Sequence, residues 1–192
     1  LIRRGIWLVL AEITIITFGI TFDPFFRFVI WQVIWAIGWS MILLGLLVRT
    51  SYKAILITGL ILLIGHNFLK YLPLPTEGVA GALWKVLFTS RSAVLQLTSG
   101  HFAAVLYTIL PWTSVMLLGY CAGVWYKKDF STRKRKKLLR ITGSILIIVF
   151  VCLRALNDFG DLTPWQNYQS PVKNFLSFLN TTKYPPSLQY MA

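Results

Sequence analysis

The chain has 192 residues, 56% of them apolar, with eight Trp, 19 basic and only six acidic side chains, a formal net charge of +13 and a mean hydropathy of +0.67. So little polar surface cannot cover a soluble globule of this size, which excludes a soluble domain and predicts an integral membrane protein. In a soluble chain the charge would point to nucleic acid, but here the largest basic group separates two long apolar runs and no nucleic-acid module accompanies it, so nucleic acid is excluded as a partner and the lipid bilayer is expected.

A hydrocarbon core needs about 20 apolar residues per crossing, and lipid cannot satisfy backbone polar groups, so such runs are expected to be helices. The expected fold class is all-α: a polytopic helical membrane protein with about five transmembrane helices and the start of a sixth. Residues 1–192 form a single transmembrane domain, read as part of a larger protein because the chain starts in a basic helix flank without an initiator Met and stops at the approach to another span.

The first span covers residues 5 to 21 and carries Glu12 near its middle. An ionisable group there is costly, so it is either protonated or paired, or it has a functional role. The second span, 26 to 48, holds Gln32 and Ser40, and its Trp31, Trp35 and Trp39 share one helical face, read as packing against a neighbouring helix. The third, 54 to 69, places His66 and Asn67 near its outer end. Residues 78 to 99 are apolar but interrupted by Lys85 and Arg91, which suits a helix lying on the membrane surface.

The fourth span, 102 to 126, is preceded by His101; Pro111 is expected to kink it and Gly119 with Gly123 to admit a close helix neighbour. The basic run KKDFSTRKRKKLLR, residues 127 to 140, leads into the fifth span at 138 to 156. It reads first as a topology determinant with solvated charges; anionic lipid headgroups or the phosphates of an anionic cofactor such as coenzyme A are alternative partners. A sixth span is expected to begin near Pro185.

Arg3 and Arg4, then Arg49 and Lys53, then the basic run fall in alternate loops, and the positive-inside rule puts them in the cytoplasm. Asp23, Glu77, Asp158 and Asp161 fall on the other side, in loops that include 70 to 101 and 157 to 184, where external chemistry is expected. Cys121 and Cys152 sit at different expected depths and read as two small buried side chains. His66 and His101 are the two imidazoles, each more simply read as solvated or hydrogen-bonded, and no cluster has metal-ligand spacing.

The segments WQVIWAIGWSM (31 to 41), GHNFL (65 to 69), LPWTSVMLLGY (110 to 120), CLRALNDFGDLTPW (152 to 165) and LSFLNTTKYPPSL (176 to 188) resemble bacterial membrane proteins related to heparan-alpha-glucosaminide N-acetyltransferase. The resemblance implies a transmembrane acyltransferase fold in which an acetyl group from cytosolic acetyl-CoA reaches an acceptor on the other side. In the animal enzyme that acceptor is the terminal glucosamine of heparan sulfate, so a carbohydrate acceptor is the implied partner. It also implies a catalytic histidine upstream of Leu1, a place neither His66 nor His101 can take; this chain would then be inactive alone, and its catalytic residues remain unassigned.

The candidate substrate or polar-network residues are Glu12, Gln32, His66, Asn67, Arg154, Asn157, Asp161, Asn180 and Lys183. Asn180 and Lys183, with Arg154, Asn157 and Asp161, suit acceptor or oxyanion contacts, or a loop network closing the external mouth. The alternative function is a membrane transporter or non-catalytic scaffold, with Glu12, Gln32 and His66 lining a solute path. The expected location is the bacterial inner membrane.

Overall fold

The computed structural model describes residues 1–71, 75, 77–88 and 94–192. An apolar rod, Ile2–Thr21, consists of α1 (Ile2–Ala11), a π-helical turn (Glu12–Ile16) and α2 (Thr17–Thr21). After a turn in which Asp23 accepts from the backbone N–H groups of Phe25 and Arg27, the chain enters β1 (Phe28–Trp31), α3 (Val33–Leu47) and α4 (Tyr52–Phe68). The short α5 (Gly78–Leu87) precedes a hairpin of β2 (Val94–Thr98) and β3 (His101–Val105), turned at Gly100 with φ 92°. Then come α6 (Ile109–Ala122), extended by a 3₁₀ turn to Tyr126, the long α7 (Thr132–Leu156), α8 (Pro171–Leu179) and the one-turn α9 (Leu188–Met191).

Three of these helical rods are long and apolar enough to cross a membrane: Ile2–Thr21, Ile109–Tyr126 and Thr132–Leu156. The apolar α3 and α4 have 15 and 17 residues, about 22 and 25 Å of helix against a hydrocarbon core of about 30 Å.

The fold is mostly helical but not all-α. Phe28–Trp31 and His101–Val105, read from sequence as the first turns of the second and fourth spans, are parallel partners in a three-stranded sheet of order β1-β3-β2, with β2 antiparallel to β3. A four- or five-residue apolar run has no period to separate strand from helix when a helix follows it directly. The sheet buries Val29, Leu95, Ala103 and Val105 against Ile13 of the π turn and Ala82 and Val86 of α5. The surface helix expected over 78 to 99 therefore ends at Leu87, its last third becomes β2, and Arg91 lies outside the described residues.

Helices α1 and α3 pack antiparallel through glycine. A Cβ on Gly5 would lie 2.6 Å from the Gly38 carbonyl oxygen, one on Gly38 2.8 Å from that of Gly5, and one on Gly45 2.7 Å from Ile2. Helix α3 continues onto α6, where Ser40 Oγ and Thr113 Oγ1 share a hydrogen bond of 3.0 Å, and α6 onto α4 around Ile55, Leu117 and Cys121. Trp31 stacks on Trp35, and Trp35 meets Trp39 edge to face, within the α1–α3 core.

Two expectations for α6 fail. Pro111 lies in the first turn, where its missing N–H breaks no helical hydrogen bond, so it produces no mid-helix kink. Gly119 and Gly123 face open space and admit no helix among the described residues. Cys121 is buried, whereas Cys152 is exposed on α7.

The helix directions gather Arg3, Arg4, Arg49, Lys53 and Lys127 at one end of the bundle, where Tyr52 Oη donates to the Cys121 carbonyl. The sheet, the end of α4 and the segment 157–192 occupy the other. Helix α7 is peripheral, and Arg154 is its one buried residue.

Gly38→Ala should drive a methyl into the Gly5 carbonyl and destabilise the protein by about 1–3 kcal/mol, while Gly119→Ala, with open space around it, keeps or raises stability. Thermal unfolding in detergent, followed by circular dichroism, checks both. Equal melting temperatures for Gly38→Ala and the parent would contradict the glycine contact.

Candidate functional site

The last turn of α7 carries a guanidinium into the protein instead of into lipid. Arg154 is 1% exposed. Its Nε donates to the Phe178 carbonyl (2.6 Å), Nη2 to the carbonyls of Ser177 (2.9 Å) and Asn180, and Nη1 to that of Thr163 (3.3 Å). Three of those carbonyls belong to the C-terminal end of α8, where orphan acceptors and the helix dipole both favour a cation. Nη1 also pairs with Asp161 Oδ2 at 3.6 Å.

Asp161 is saturated in turn. Its Oδ1 accepts from Thr163 N (3.0 Å) and Thr182 Oγ1 (2.5 Å), and its Oδ2 from Thr182 N (3.0 Å) and Ser187 Oγ (3.1 Å). Asn157 ends α7 in the left-handed region, φ 53°, a conformation asparagine tolerates better than most residues. Its side-chain amide pairs both ways with the backbone of Trp165, whose indole N–H returns to the Arg154 carbonyl.

Helix α4 joins from the other side. His66 Nδ1 lies 2.9 Å from the Leu62 carbonyl and Nε2 2.9 Å from that of Pro186, so either ring tautomer has its N–H on a carbonyl. Asn67 Oδ1 accepts from Leu188 N, which also donates to the Gly160 carbonyl. Gln189 reaches the Phe159 carbonyl and fills the space over Gly160, where a Cβ would meet its Oε1 at 2.6 Å. Where a sixth span was expected to begin, Tyr184-Pro185 is a cis peptide within a turn, followed by the one-turn α9, which Ser187 caps through Tyr190 N.

Lys183 lies beside this network with partners of its own. Its Nζ is 5.1 Å from the ring centre of Tyr184 and 5.9 Å from that of Tyr107, and the two phenols are 3.1 Å apart. Hydrogen bonding to Tyr184 and then Tyr107 pushes the Lys183 ammonium up from its usual range. The bond from Tyr107, followed by that from Lys183, holds Tyr184 below the ordinary phenol value, while burial raises Tyr107.

Of the residues singled out from sequence, His66, Asn67, Arg154, Asn157, Asp161 and Asn180 thus converge, Asn180 through its carbonyl, and Lys183 adjoins them. Glu12 and Gln32 meet elsewhere. Glu12 is fully buried, Oε1 accepts from Gln32 N at 2.7 Å where β1 becomes α3, and Oε2 has no partner among the described residues. Sequence reasoning missed Ser187, Gln189 and Tyr107; the signal available for the first two was a pair of polar residues interrupting the apolar start of the supposed sixth span. His101, bonded to Thr98, stands apart at the hairpin.

Beyond this saturated knot lies an open groove of about 430 Å³ lined by Tyr168, Lys173, Leu176, Ser177 and Asn180. Among the described residues no group of His, Cys, Asp and Glu is arranged to hold a metal ion.

A family model described as heparan-alpha-glucosaminide N-acetyltransferase, catalytic, matches residues 1–165. The chain belongs to this family. No curated protein and no solved structure matches it. Within the heparan-alpha-glucosaminide N-acetyltransferase match lie the bundle, the sheet and the first half of the knot, Arg154 to Trp165, whereas the carbonyls and hydroxyls that complete the knot come from residues 177–189.

Arg154→Ala leaves Asp161 and the α8 carbonyls uncompensated and should cost about 3–5 kcal/mol, read as a lower melting temperature and fast proteolysis within 157–190. Arg154→Lys, with a point charge in place of a planar fork, recovers only part of it. Full stability of Arg154→Ala would contradict the knot. In the turn beside it, Tyr184 should titrate at lower pH than Tyr107. Lys183 contributes stability below its ordinary pKa and loses it only as pH rises through the raised value, so the turn holds at neutral pH. Lys183→Met should move the Tyr184 titration upward, and Tyr107→Phe should move it further, as followed by phenolate absorbance.

Proposed function

We propose that this chain is the core of a membrane acyltransferase that moves the acetyl group of acetyl-CoA to an acceptor, such as an amino sugar, across the bilayer. The observation that carries the reading is family membership over residues 1–165. The separation of charge fits it. With α3 and α4 crossing as well, five crossings leave Arg3 and Arg4, Arg49 and Lys53, and the basic run 127–140 on one side, which the positive-inside rule makes cytoplasmic, in a bacterial inner membrane.

Two grooves open at the basic end. One, of about 510 Å³, is lined by Arg3, Arg4 and Arg49 with Ile2, Gly45 and Val48. The other, of about 530 Å³, is lined by Thr50, Tyr52, Tyr120 and Lys127 among others. Guanidinium and ammonium groups over apolar walls suit the phosphates and the uncharged arm of the donor. At the far end the groove of Tyr168, Lys173 and Asn180 offers an aromatic face and amide and amine donors to acceptor hydroxyls.

The net transfer breaks the thioester C–S bond and makes a bond from the acetyl carbon to the acceptor, a base takes the proton that the acceptor loses, and coenzyme A leaves as the thiol. His66 places Nδ1 on the Leu62 carbonyl and Nε2 within 2.9 Å of both the Pro186 carbonyl and Asn67 Nδ2, and His101 lies at the hairpin, so neither is assigned as that base. The resemblance puts the base upstream of Leu1, and this chain supplies the scaffold that binds and orients.

The test uses sealed membranes carrying the complete reading frame, with labelled acetyl-CoA on the cytoplasmic face and mixed amino sugars on the other. Label should appear on an acceptor and disappear when the upstream histidine is replaced. Arg49→Gln with Lys127→Gln should raise KM for acetyl-CoA by about tenfold. A folded protein that neither binds acetyl-CoA nor moves label would reject the proposal.

A further inference from the structure

Helix α7 is held at one end and bare along the rest. Its 25 residues bury one side chain, Arg154, while Ile145, Ile147, Ile148 and Val151 are exposed. From Leu156 back to Lys137 the helix rises about 28 Å, and to Arg133 about 35 Å, against a hydrocarbon core of about 30 Å. With Arg154 fixed in the knot at one boundary, the turns carrying Arg133, Lys134, Arg135, Lys136 and Lys137 therefore emerge at the headgroup layer of the opposite leaflet. Arg140, one turn deeper, reaches the same layer by extending its stem.

Among the described residues these cations have no protein counter-charge. Consecutive residues on a helix point in all directions around it, so the basic turns form a collar and not a stripe facing the bundle. The nearest acid in sequence is Asp129, and among the described residues no ion pair joins the collar to a carboxylate. Arg135 lies over the ring of Tyr126, 5.3 Å from its centre, which places an aromatic belt residue at the same level. Bare apolar surface above, an aromatic at the boundary and unpaired cations beyond it make a sequence of layers complementary to one molecule: acyl chain, glycerol region, phosphate.

We propose that the basic collar of α7 binds anionic phospholipid headgroups, and that these lipids cover the part of α7 that the bundle leaves bare. Each phosphate supplies the counter-charge missing from the protein, and the chains pack along the isoleucine-rich face. The lipid seats the free half of α7, whose other end is already clamped through Arg154. The collar uses residues separate from Arg49 and Lys127, so this binding does not depend on the proposed acyl transfer.

The test reconstitutes the complete protein in phosphatidylcholine vesicles with spin-labelled phosphatidylglycerol or phosphatidylcholine and compares how much of each is immobilised at the protein surface. Phosphatidylglycerol should be selected about fivefold at low salt, and the selection should fall toward unity in about 1 M salt, where charges are screened. Replacing Arg133, Lys134, Arg135, Lys136 and Lys137 together with Gln, which keeps helix propensity, should abolish it. Replacing Lys85 and Lys173 at the other end should not. The collar variant should bind acetyl-CoA as the parent does, which separates failure of this proposal from failure of the enzymatic one.

A parent protein without headgroup selection, or a selection that survives loss of the collar, would overturn the proposal. Selection by the parent that persists in about 1 M salt would overturn it too, and that readout needs no variant. A photo-crosslinker at Ile147 should label lipid. Efficient crosslinking there to a second copy, or to another segment of the complete protein, would also overturn it.

Discussion

A guanidinium withdrawn from water at the end of a lipid-facing helix must find an acceptor for every donor it carries, and meeting that demand shapes the whole segment from 157 to 190. Arg154 finds its acceptors outside its own helix. It takes three carbonyls from the end of α8, one from Thr163 and the carboxylate of Asp161. Asp161 then draws in Thr182 and Ser187, and Ser187 starts α9, which meets His66 and Asn67 of α4. A chain of obligatory polar contacts thus connects α7, otherwise loosely attached, to the bundle. In a low-dielectric setting such a network is stiff when complete and costly when any member is lost.

The two ends of the bundle carry different chemistry because they meet different demands. The basic end is open, with unpaired cations and grooves facing outward, a surface that anions can approach. The opposite end is closed by the sheet and by the knot, and most of its polar groups are consumed in holding backbone. The groove around Tyr168 and Asn180 is the exception: it opens on the surface of α8 and shares with the knot the residues Ser177 and Asn180, whose backbone carbonyls hold Arg154.

Much of this was legible in the chain. Apolar length gave the long helices, and the alternation of Arg and Lys with apolar runs anticipated which ends lie together. The polar residues of CLRALNDFGDLTPW stood out because charged groups beside a span are rarely idle, and they do form the centre of the knot. What stayed hidden was pairing at a distance. Nothing local distinguishes Phe28–Trp31 from the first turn of α3, because what makes it a strand is its partner at 102–105. Gly119 and Gly123 carry the spacing of a helix contact, yet the contact is made by Gly5 and Gly38, which have no such spacing because each lies on a different helix. The saturation of Asp161 and His66 was invisible for the same reason: a side chain reads as reactive until the carbonyls and hydroxyls around it are counted.

The parallel pairing of β1 with β3 also constrains biogenesis. When Trp31 leaves the ribosome, its partner lies about 70 residues away, which at about 5–20 residues per second is roughly 4 to 14 seconds of synthesis. During that interval α3 and α4 are made, and β1 presents unpaired N–H and C=O groups at the membrane surface. Helix insertion therefore precedes sheet closure, and water must serve the edge of β1 until β3 arrives, a delay that makes this strand the stretch most exposed to wrong pairing in a nascent chain.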